Sequence, residues 1–185
     1  GRTDEIPASD LAYDGQFLGS EIGTRGEQIA ELHRRLPAGY RFRQGGRREG
    51  GERLTGLRFL EAMCEAAVCP QLPVDDMAVN GTPYLYTSDR IAQTMGQGVV
   101  ALTPAAAGFE DIYEDGIVAY AGRSGLAEAM TALRDDDERR RRVGARGRRL
   151  AHARMNSARV AQYMLDVTMQ ASLSEDYGWP SDPIA

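Results

Sequence analysis

Residues 88–103 read SDRIAQTMGQGVVALT, and this stretch decides the fold. Its first ten residues have the pattern of a short helix that ends at Gly98. Val99 to Thr103 follow at once as a β-branched, apolar run, which predicts a buried strand. A helix that leads directly into a fully apolar strand is typical of a parallel sheet covered by helices.

The same alternation extends in both directions from this stretch. Before it, the pattern predicts strands at 10–19 and 40–44 and helices at 24–36 and 54–66. The apolar run 67–72 is a poor central strand, because Pro70 and Pro73 lack the N–H group. After it come a short helix at 108–115, a strand at 117–120 and three helices, at 124–134, 136–153 and 157–173, with Ser157 as the N-cap of the last.

The pattern as a whole predicts an α/β domain over residues 1–173, a Rossmann-like parallel sheet with helices on both faces and a C-terminal helical segment. Residues 174–185 are expected to form an irregular tail, in which Tyr177 and Trp179 contact a missing domain or a partner chain. Ligands of such sheets bind at the carboxyl ends of the strands.

Composition narrows the class of function. The 185 residues carry a net charge of −5, so a nucleic-acid partner is not favoured. No apolar run approaches the roughly 18 residues of a membrane span, and residues 1–9 lack a signal peptide, so we expect a cytoplasmic protein. The first residue is not Met, from which we expect a fragment of a longer chain.

The chain contains 22 basic residues of the Lys or Arg type, and all of them are arginines. Anions must therefore be bound by Arg, backbone N–H groups and helix ends.

Cysteine and histidine give no metal signal. Cys64 and Cys69 do not have zinc-site spacing, and His33 and His152 lie far from them in sequence. We interpret both cysteines as reduced, buried thiols and expect no metal and no cofactor.

The start of the 88–97 helix is a candidate anion site. A phosphate could be held there by the hydroxyls of Thr87 and Ser88, by the first N–H groups at Asp89 and Arg90, and by the Arg90 guanidinium. On local chemistry alone, an ordinary serine N-cap with Arg90 in a surface ion pair is the favoured interpretation of these residues.

The order of the motifs resembles a known family. The motifs are residues 88–103, the turn GFEDIYEDG at 108–116, the strand and helix at 117–130, and the closing segments RGRRL at 146–150 and 155–165. Taken in this order, they resemble the donor-binding domain of glycosyltransferases with the GT-B fold. The nearest branch is the spore-maturation-protein-like glycosyltransferases, in which an Arg precedes the helix as Arg90 does. The resemblance covers roughly residues 10–173.

The resemblance implies a function. In GT-B enzymes two Rossmann-like domains face each other, and the carboxyl-terminal one holds a nucleotide-sugar without a metal. Here Arg90 and Arg25 would neutralise the diphosphate. Gly19 and Gly45-Gly46 would let the backbone approach the ligand closely. The partner would be a missing N-terminal acceptor domain, and this chain alone would be inactive.

Two departures from the family pattern leave an alternative open. Gln93 stands where many members have a ribose-binding Glu, and Leu85 stands near the place of an earlier Glu. A non-catalytic, ligand-binding module is therefore the alternative function. Glu110 and Asp111 either contact hydroxyls of the donor sugar or cap a short helix.

The remaining charged clusters favour structural roles. The Arg-rich run 139–149 follows acidic residues 135–138, which predicts a solvated helix face with ion pairs rather than an RNA site. The string Asp135-Asp136-Asp137 is better explained by a helix start than by a metal site. Asp75 and Asp76 are interpreted as solvated loop acids.

Overall fold

The computed structural model describes residues 2–45, 54–74, 89–170 and 172–179. Within these ranges, five parallel strands form one sheet in the order β2-β1-β3-β4-β5. The strands are β1 (Tyr13–Leu18), β2 (Phe42–Gly45), β3 (Ala66–Pro70), β4 (Val100–Pro104) and β5 (Val118–Tyr120). The direction of strand addition reverses between β1 and β3, so a crevice is expected outside the carboxyl ends of these two strands.

The helices of the described ranges agree in number and order with the predicted ones. They are α1 (Arg25–Arg35), α2 (Gly56–Met63), α3 (Arg90–Gly96), α4 (Glu110–Tyr113), α5 (Gly122–Asp135), α6 (Asp137–Arg154) and α7 (Ser157–Thr168). The α/β class with a Rossmann-like parallel sheet and C-terminal helices is therefore confirmed.

The strand residues divide the core between the two faces of the sheet. Val100 and Leu102 pack with residues of α1 and α5, whereas Ala101 packs with residues of α3 and α6. This division follows from the two-residue repeat of a strand, which points alternate side chains to opposite faces. Helices on both faces explain why β4 is apolar from Val100 to Leu102.

The expectation that prolines make residues 67–72 a poor central strand is wrong. β3 lies between β1 and β4, and all five of its residues are buried. Pro70 is the last residue of the strand, and the next residue, Gln71, donates its backbone N–H to the Leu102 carbonyl over 2.8 Å. The missing N–H therefore falls at the end of β3 and leaves the ladder intact.

The prediction that the Arg-rich run is a solvated face is wrong for Arg140. Its side chain is 0% exposed and donates to the carbonyls of Thr3 and Ile6 and to the Asp137 carboxylate. A buried guanidinium is stable only when its donors are paired, and these three acceptors pair it. Arg140 thus holds the N-terminal segment against α6, while Arg139 and Arg142 are exposed as predicted.

The end of the chain also differs from prediction. Asn156, not Ser157, caps α7, because its side chain accepts a hydrogen bond from the Arg159 backbone N–H over 2.9 Å. Tyr177 and Trp179 pack on Tyr163 of the same chain, with ring centroids 5.1 Å away in each case. These aromatic residues therefore tie the tail to α7.

Replacing Arg140 tests its structural role. Arg140→Ala removes a buried guanidinium together with its hydrogen bonds to the Thr3 and Ile6 carbonyls and to Asp137, so we expect a loss of about 3 kcal/mol in the free energy of unfolding. Urea unfolding measures this loss. Arg142→Ala, which removes the same charge from an exposed position on α6, should change stability by less than about 0.5 kcal/mol. Equal stability of the two variants would contradict the burial of Arg140.

Candidate functional site

A cleft of about 520 Å³ lies where β1 ends and three helices begin. Its residues come from the turn after β1 and from the first turns of α1, α2 and α3. The lining residues are Leu18, Gly19, Ser20, Arg25, Leu54, Thr55, Gly56, Phe59, Leu60, Asp89, Arg90 and Gln93. The cleft adjoins the switch point of the sheet, where ligands of open parallel sheets bind.

The helices that begin at this cleft are not capped by the side chains of their N-cap residues. These residues are Thr24 for α1, Thr55 for α2 and Asp89 for α3, and none of their side chains accepts a hydrogen bond from the first turn. Away from the cleft, Asp136 and Asn156 cap α6 and α7, whereas α4 and α5 also lack a side-chain cap. Uncapped helix starts present backbone N–H groups and a positive dipole end to an anion.

Arg90 lies on the floor of the cleft and is 7% exposed. Its Nη1 donates to the Leu18 carbonyl over 2.6 Å, and its Nε donates to Gln71 Oε1 over 3.4 Å. The guanidinium carbon lies 4.7 Å from the centroid of the Phe17 ring. Arg90 therefore links the ends of β1 and β3 and brings its positive charge to the cleft. The alternative in which Arg90 forms a surface ion pair does not fit this burial.

Arg25 brings a second positive charge to the same floor. Its Nε donates to the Leu72 carbonyl over 2.9 Å, and its guanidinium carbon lies 5.7 Å from the Phe17 ring centroid. The two arginines therefore approach one aromatic ring, and both line the cleft. Two guanidinium groups with adjacent helix starts make this region strongly favourable for a multiply charged anion.

Gly19 is required by the close packing at the end of β1. A Cβ atom there would overlap Arg90 Nη1 and lie 2.9 Å from the Phe17 ring. The Gly19 N–H donates to the Gly45 carbonyl over 2.9 Å. Gly45 therefore supports the cleft from β2 but does not line it.

Asp89 and Gln93 form the polar wall on α3. Gln93 Nε2 lies 3.5 Å from Asp89 Oδ2, one helical turn away. Asp89 is exposed and Gln93 is half-buried, so both can reach a molecule in the cleft.

Sequence reasoning missed the opposite, apolar wall. Leu54, Phe59 and Leu60 line the cleft at the start of α2, where they were interpreted only as helix residues. The available signal was an apolar helix start that directly follows the Gly- and Arg-rich loop. An apolar wall and two cations in one cleft suit a ligand that has both an anionic part and a flat apolar part.

The other predicted site residues do not meet in this cleft. Glu110 and Asp111 are exposed on the first turn of α4 and do not line it. Thr87 and Ser88 lie outside the described residues, as do Gly46, Asp75, Asp76 and Leu85.

Titratable groups next to the floor do not supply a nucleophile. Burial raises the pKa of the Cys69 thiol, although the nearby Arg90 charge acts in the opposite direction, and Cys69 therefore remains a neutral thiol. Cys64 is also a free thiol, but it is half-buried rather than buried as predicted. Across the described ranges no cluster of three or more His, Cys, Asp or Glu side chains could hold a metal ion.

A second cavity, of about 710 Å³, lies between α1 and α5. Its charged lining residues are Arg35, Glu128 and Asp135. Two carboxylates against one guanidinium disfavour a phosphate there, so the cleft at the switch point is the better anion site.

Comparison with known proteins assigns the chain to a family. A family model described as "Glycosyl transferase-like" matches residues 25–166, which is more than half of the chain. The chain belongs to the glycosyl transferase-like family. The match includes Arg25, Asp89, Arg90 and Gln93 of the cleft. No curated protein sequence matches the chain significantly.

A solved structure shares the fold of this glycosyl transferase-like chain. Sucrose-phosphate synthase from Thermosynechococcus elongatus superposes with a TM-score of 0.64 at 15% sequence identity. The superposition covers 90% of this chain and 46% of that one. The chain therefore spans less than half the length of the sucrose-phosphate synthase. Among the described residues, no helix is both long enough and apolar enough to cross a membrane.

Two glycine replacements test the packing of the cleft floor. Gly19→Ala must displace Arg90 or Phe17, so we expect a loss of about 1–3 kcal/mol in the free energy of unfolding. Gly125→Ala is the matched control. Gly125 lies in α5, and a Cβ atom added there would have no neighbouring atom within 4 Å, so the free energy of unfolding should rise by about 0.5–1 kcal/mol. Chemical denaturation of both variants measures these changes. A neutral Gly19→Ala would contradict the close approach of Arg90 to β1.

Proposed function

We propose that this chain is the donor-binding half of a GT-B glycosyltransferase that transfers a sugar from a nucleoside diphosphate sugar to an acceptor. The observation that carries the proposal is the pair Arg25 and Arg90, which line one cleft at the switch point of the sheet. Membership of the glycosyl transferase-like family supports it.

The proposed role of the cleft is to bind and stabilise the diphosphate. When the bond to the sugar breaks, negative charge develops on the leaving diphosphate, and fixed positive groups lower the energy of that state. Arg25, Arg90 and the uncapped starts of α1 and α2 are such groups. Because Arg90 is held by the Leu18 carbonyl, its charge is already in place before the ligand binds.

The apolar wall and the Asp89–Gln93 wall suit the remaining parts of a nucleotide-sugar. A base or the apolar face of a sugar ring can pack on Phe59 and Leu60, and hydroxyl groups can bond to the polar wall. Sugar contacts from Glu110 and Asp111, and phosphate contacts from Thr87 and Ser88, stay predictions.

The wider parts of the proposal concern the whole enzyme. A second, N-terminal domain would provide the acceptor site, so that this chain alone binds the donor and transfers nothing. Assignment to the spore-maturation-protein-like branch and a cytoplasmic location belong to the same proposal.

A non-catalytic nucleotide-binding module is the second candidate. Gln93 favours it, because a neutral amide there binds a hydroxyl group less strongly than a carboxylate does. A longer chain with the N-terminal domain that binds the nucleotide but neither hydrolyses nor transfers the donor sugar would support this candidate.

Calorimetric titration with UDP, GDP, dTDP and CMP tests the proposed ligand. We expect one diphosphate to bind, and Arg25→Gln and Arg90→Gln to weaken its binding at least about tenfold, because each variant removes a charge-assisted contact. Arg149→Gln, an exposed position on α6, is the matched control and should bind as the wild type does.

Thermal unfolding of each variant must accompany the titration, because Arg90 also stabilises the end of β1. Unchanged affinity in the folded Arg25 and Arg90 variants would remove the phosphate role of these residues. If the wild-type chain binds none of the nucleotides, the same titration on a longer chain decides the matter, and a second failure there would reject the donor-binding function.

A further inference from the structure

The helix α7 and the residues after it expose most of their large apolar side chains. Among the described residues, ten large apolar side chains are at least 36% exposed, and seven of these lie between residues 160 and 173. They are Val160, Tyr163, Met164, Leu165, Val167, Met169 and Leu173. Single exposed apolar residues are ordinary, but a set concentrated on one helix marks a surface that binds another molecule.

The C-terminal tail packs on a different face of this helix. Asp166 is 6% exposed and accepts hydrogen bonds from the side chains of Ser174 and Tyr177. At the start of the helix, Arg159 pairs with Glu175 of the tail. These contacts fix the tail through polar groups and leave the apolar side chains of α7 uncovered.

The exposed side chains lie in regular rows along the helix. Val160, Met164 and Val167 follow one another at spacings of four and three residues, which is the spacing of the apolar seam between two paired helices. Leu165 and Met169, four residues apart, form a second row. Met164, in the middle of the seam, is 62% exposed.

The exposed surface of residues 160–170 carries no charge, because the one charged residue in this range is the buried Asp166. Helices that lie on a lipid surface carry Lys or Arg on their polar face, so this helix does not suit a membrane. The cores of protein interfaces, by contrast, are poor in charged residues and rich in Tyr and Met. The composition of α7 therefore favours a protein partner.

We infer that the seam of Val160, Met164 and Val167 pairs with the same seam of a second copy of this chain, in an antiparallel two-fold dimer. A two-fold interface brings one surface against itself, so it must be complementary to itself. An uncharged seam meets this condition, because no like charges meet there although each copy carries a net charge of −5. The antiparallel arrangement also places opposite ends of the two helix dipoles side by side.

The size of the surface predicts a weak dimer that is independent of the proposed donor site. Stable dimers bury about 800 Å² per partner, and a helix of 12 residues supplies only part of that area. We therefore expect a Kd of about 10–100 μM. His152, one turn before α7, contacts the Gly96 carbonyl at the end of α3 opposite to the cleft, so α7 begins away from the cleft.

Sedimentation of the wild-type chain over about 1–500 μM tests this inference. We expect the mass to rise with concentration from that of one chain to that of two. Because the seam contains no ion pair, raising the salt concentration from about 0.05 to 0.5 M should not weaken the dimer. Binding to anionic lipid vesicles by a chain that stays monomeric would overturn the inference.

Variants assign the dimer to the seam. Met164→Glu and Val167→Glu each place like charges opposite one another in the dimer, so each should raise Kd at least about tenfold. Leu57→Glu is the matched control, because it makes the same kind of change on α2 at a side chain that is 69% exposed, and it should keep the dimer. All three positions are exposed, so the variants should fold, and an unchanged melting temperature of the monomer checks this.

Three other results would overturn the inference. The first is a wild-type chain that stays monomeric at 500 μM, and the second is a dimer that persists in both seam variants. The third is a longer chain that is monomeric and protects the α7 amides from hydrogen exchange better than this chain does. That result would assign the seam to the rest of the longer chain instead of a second copy.

Discussion

The hydrogen bond from Arg90 to the Leu18 carbonyl joins the two halves of the sheet at the point where the strand order reverses. A buried cation is costly unless its donors are paired, and the carbonyl of Leu18 and the side chain of Gln71 pair them at the ends of β1 and β3. The Arg90 guanidinium also lies over the Phe17 ring, with its carbon 4.7 Å from the ring centroid. This arrangement forces Gly19 to be a glycine and directs a fixed positive charge to the cleft.

The cleft beside Arg90 has three chemically different walls. The arginines form a cationic floor, α2 provides an apolar wall, and α3 provides a wall of a carboxylate and an amide. Arg25 comes from the start of α1 and the apolar wall from the start of α2, whereas Arg90 and the polar wall share the start of α3. Their combination suits a molecule with a charged, an apolar and a hydroxyl-bearing part, which agrees with the family of the chain.

Sequence patterns predicted the fold well because each element carries its own periodic signal. The run from Val99 to Leu102 is apolar at every position, and β4 lies inside the sheet, between β3 and β5, with helices on both faces. Patterns failed where the outcome depends on contacts distant in sequence. Pro70 ends a central strand without harm because Gln71 bonds to Leu102, and Arg140 is buried because the segment from Thr3 to Ile6 packs over it.

The candidate site was predicted only in part, again because sequence patterns do not show contacts between residues distant in sequence. Asp89 and Arg90 were predicted from the start of a helix, and Gly19, Arg25 and Gln93 from the resemblance to a family. All five line the cleft. The apolar wall at Phe59 and Leu60 was missed, because local sequence does not say which face of α2 turns to the cleft.

The most direct test of the proposed donor site is a titration of the isotope-labelled chain with UDP and with GDP, in which the chemical shifts of the backbone amides show where the ligand binds. We expect one of the two nucleotides to shift the amide signals of Gly19, Ser20 and Asp89 most strongly. The largest shifts at Ser124 and Thr131, in the cavity between α1 and α5, would contradict the assignment of the donor site.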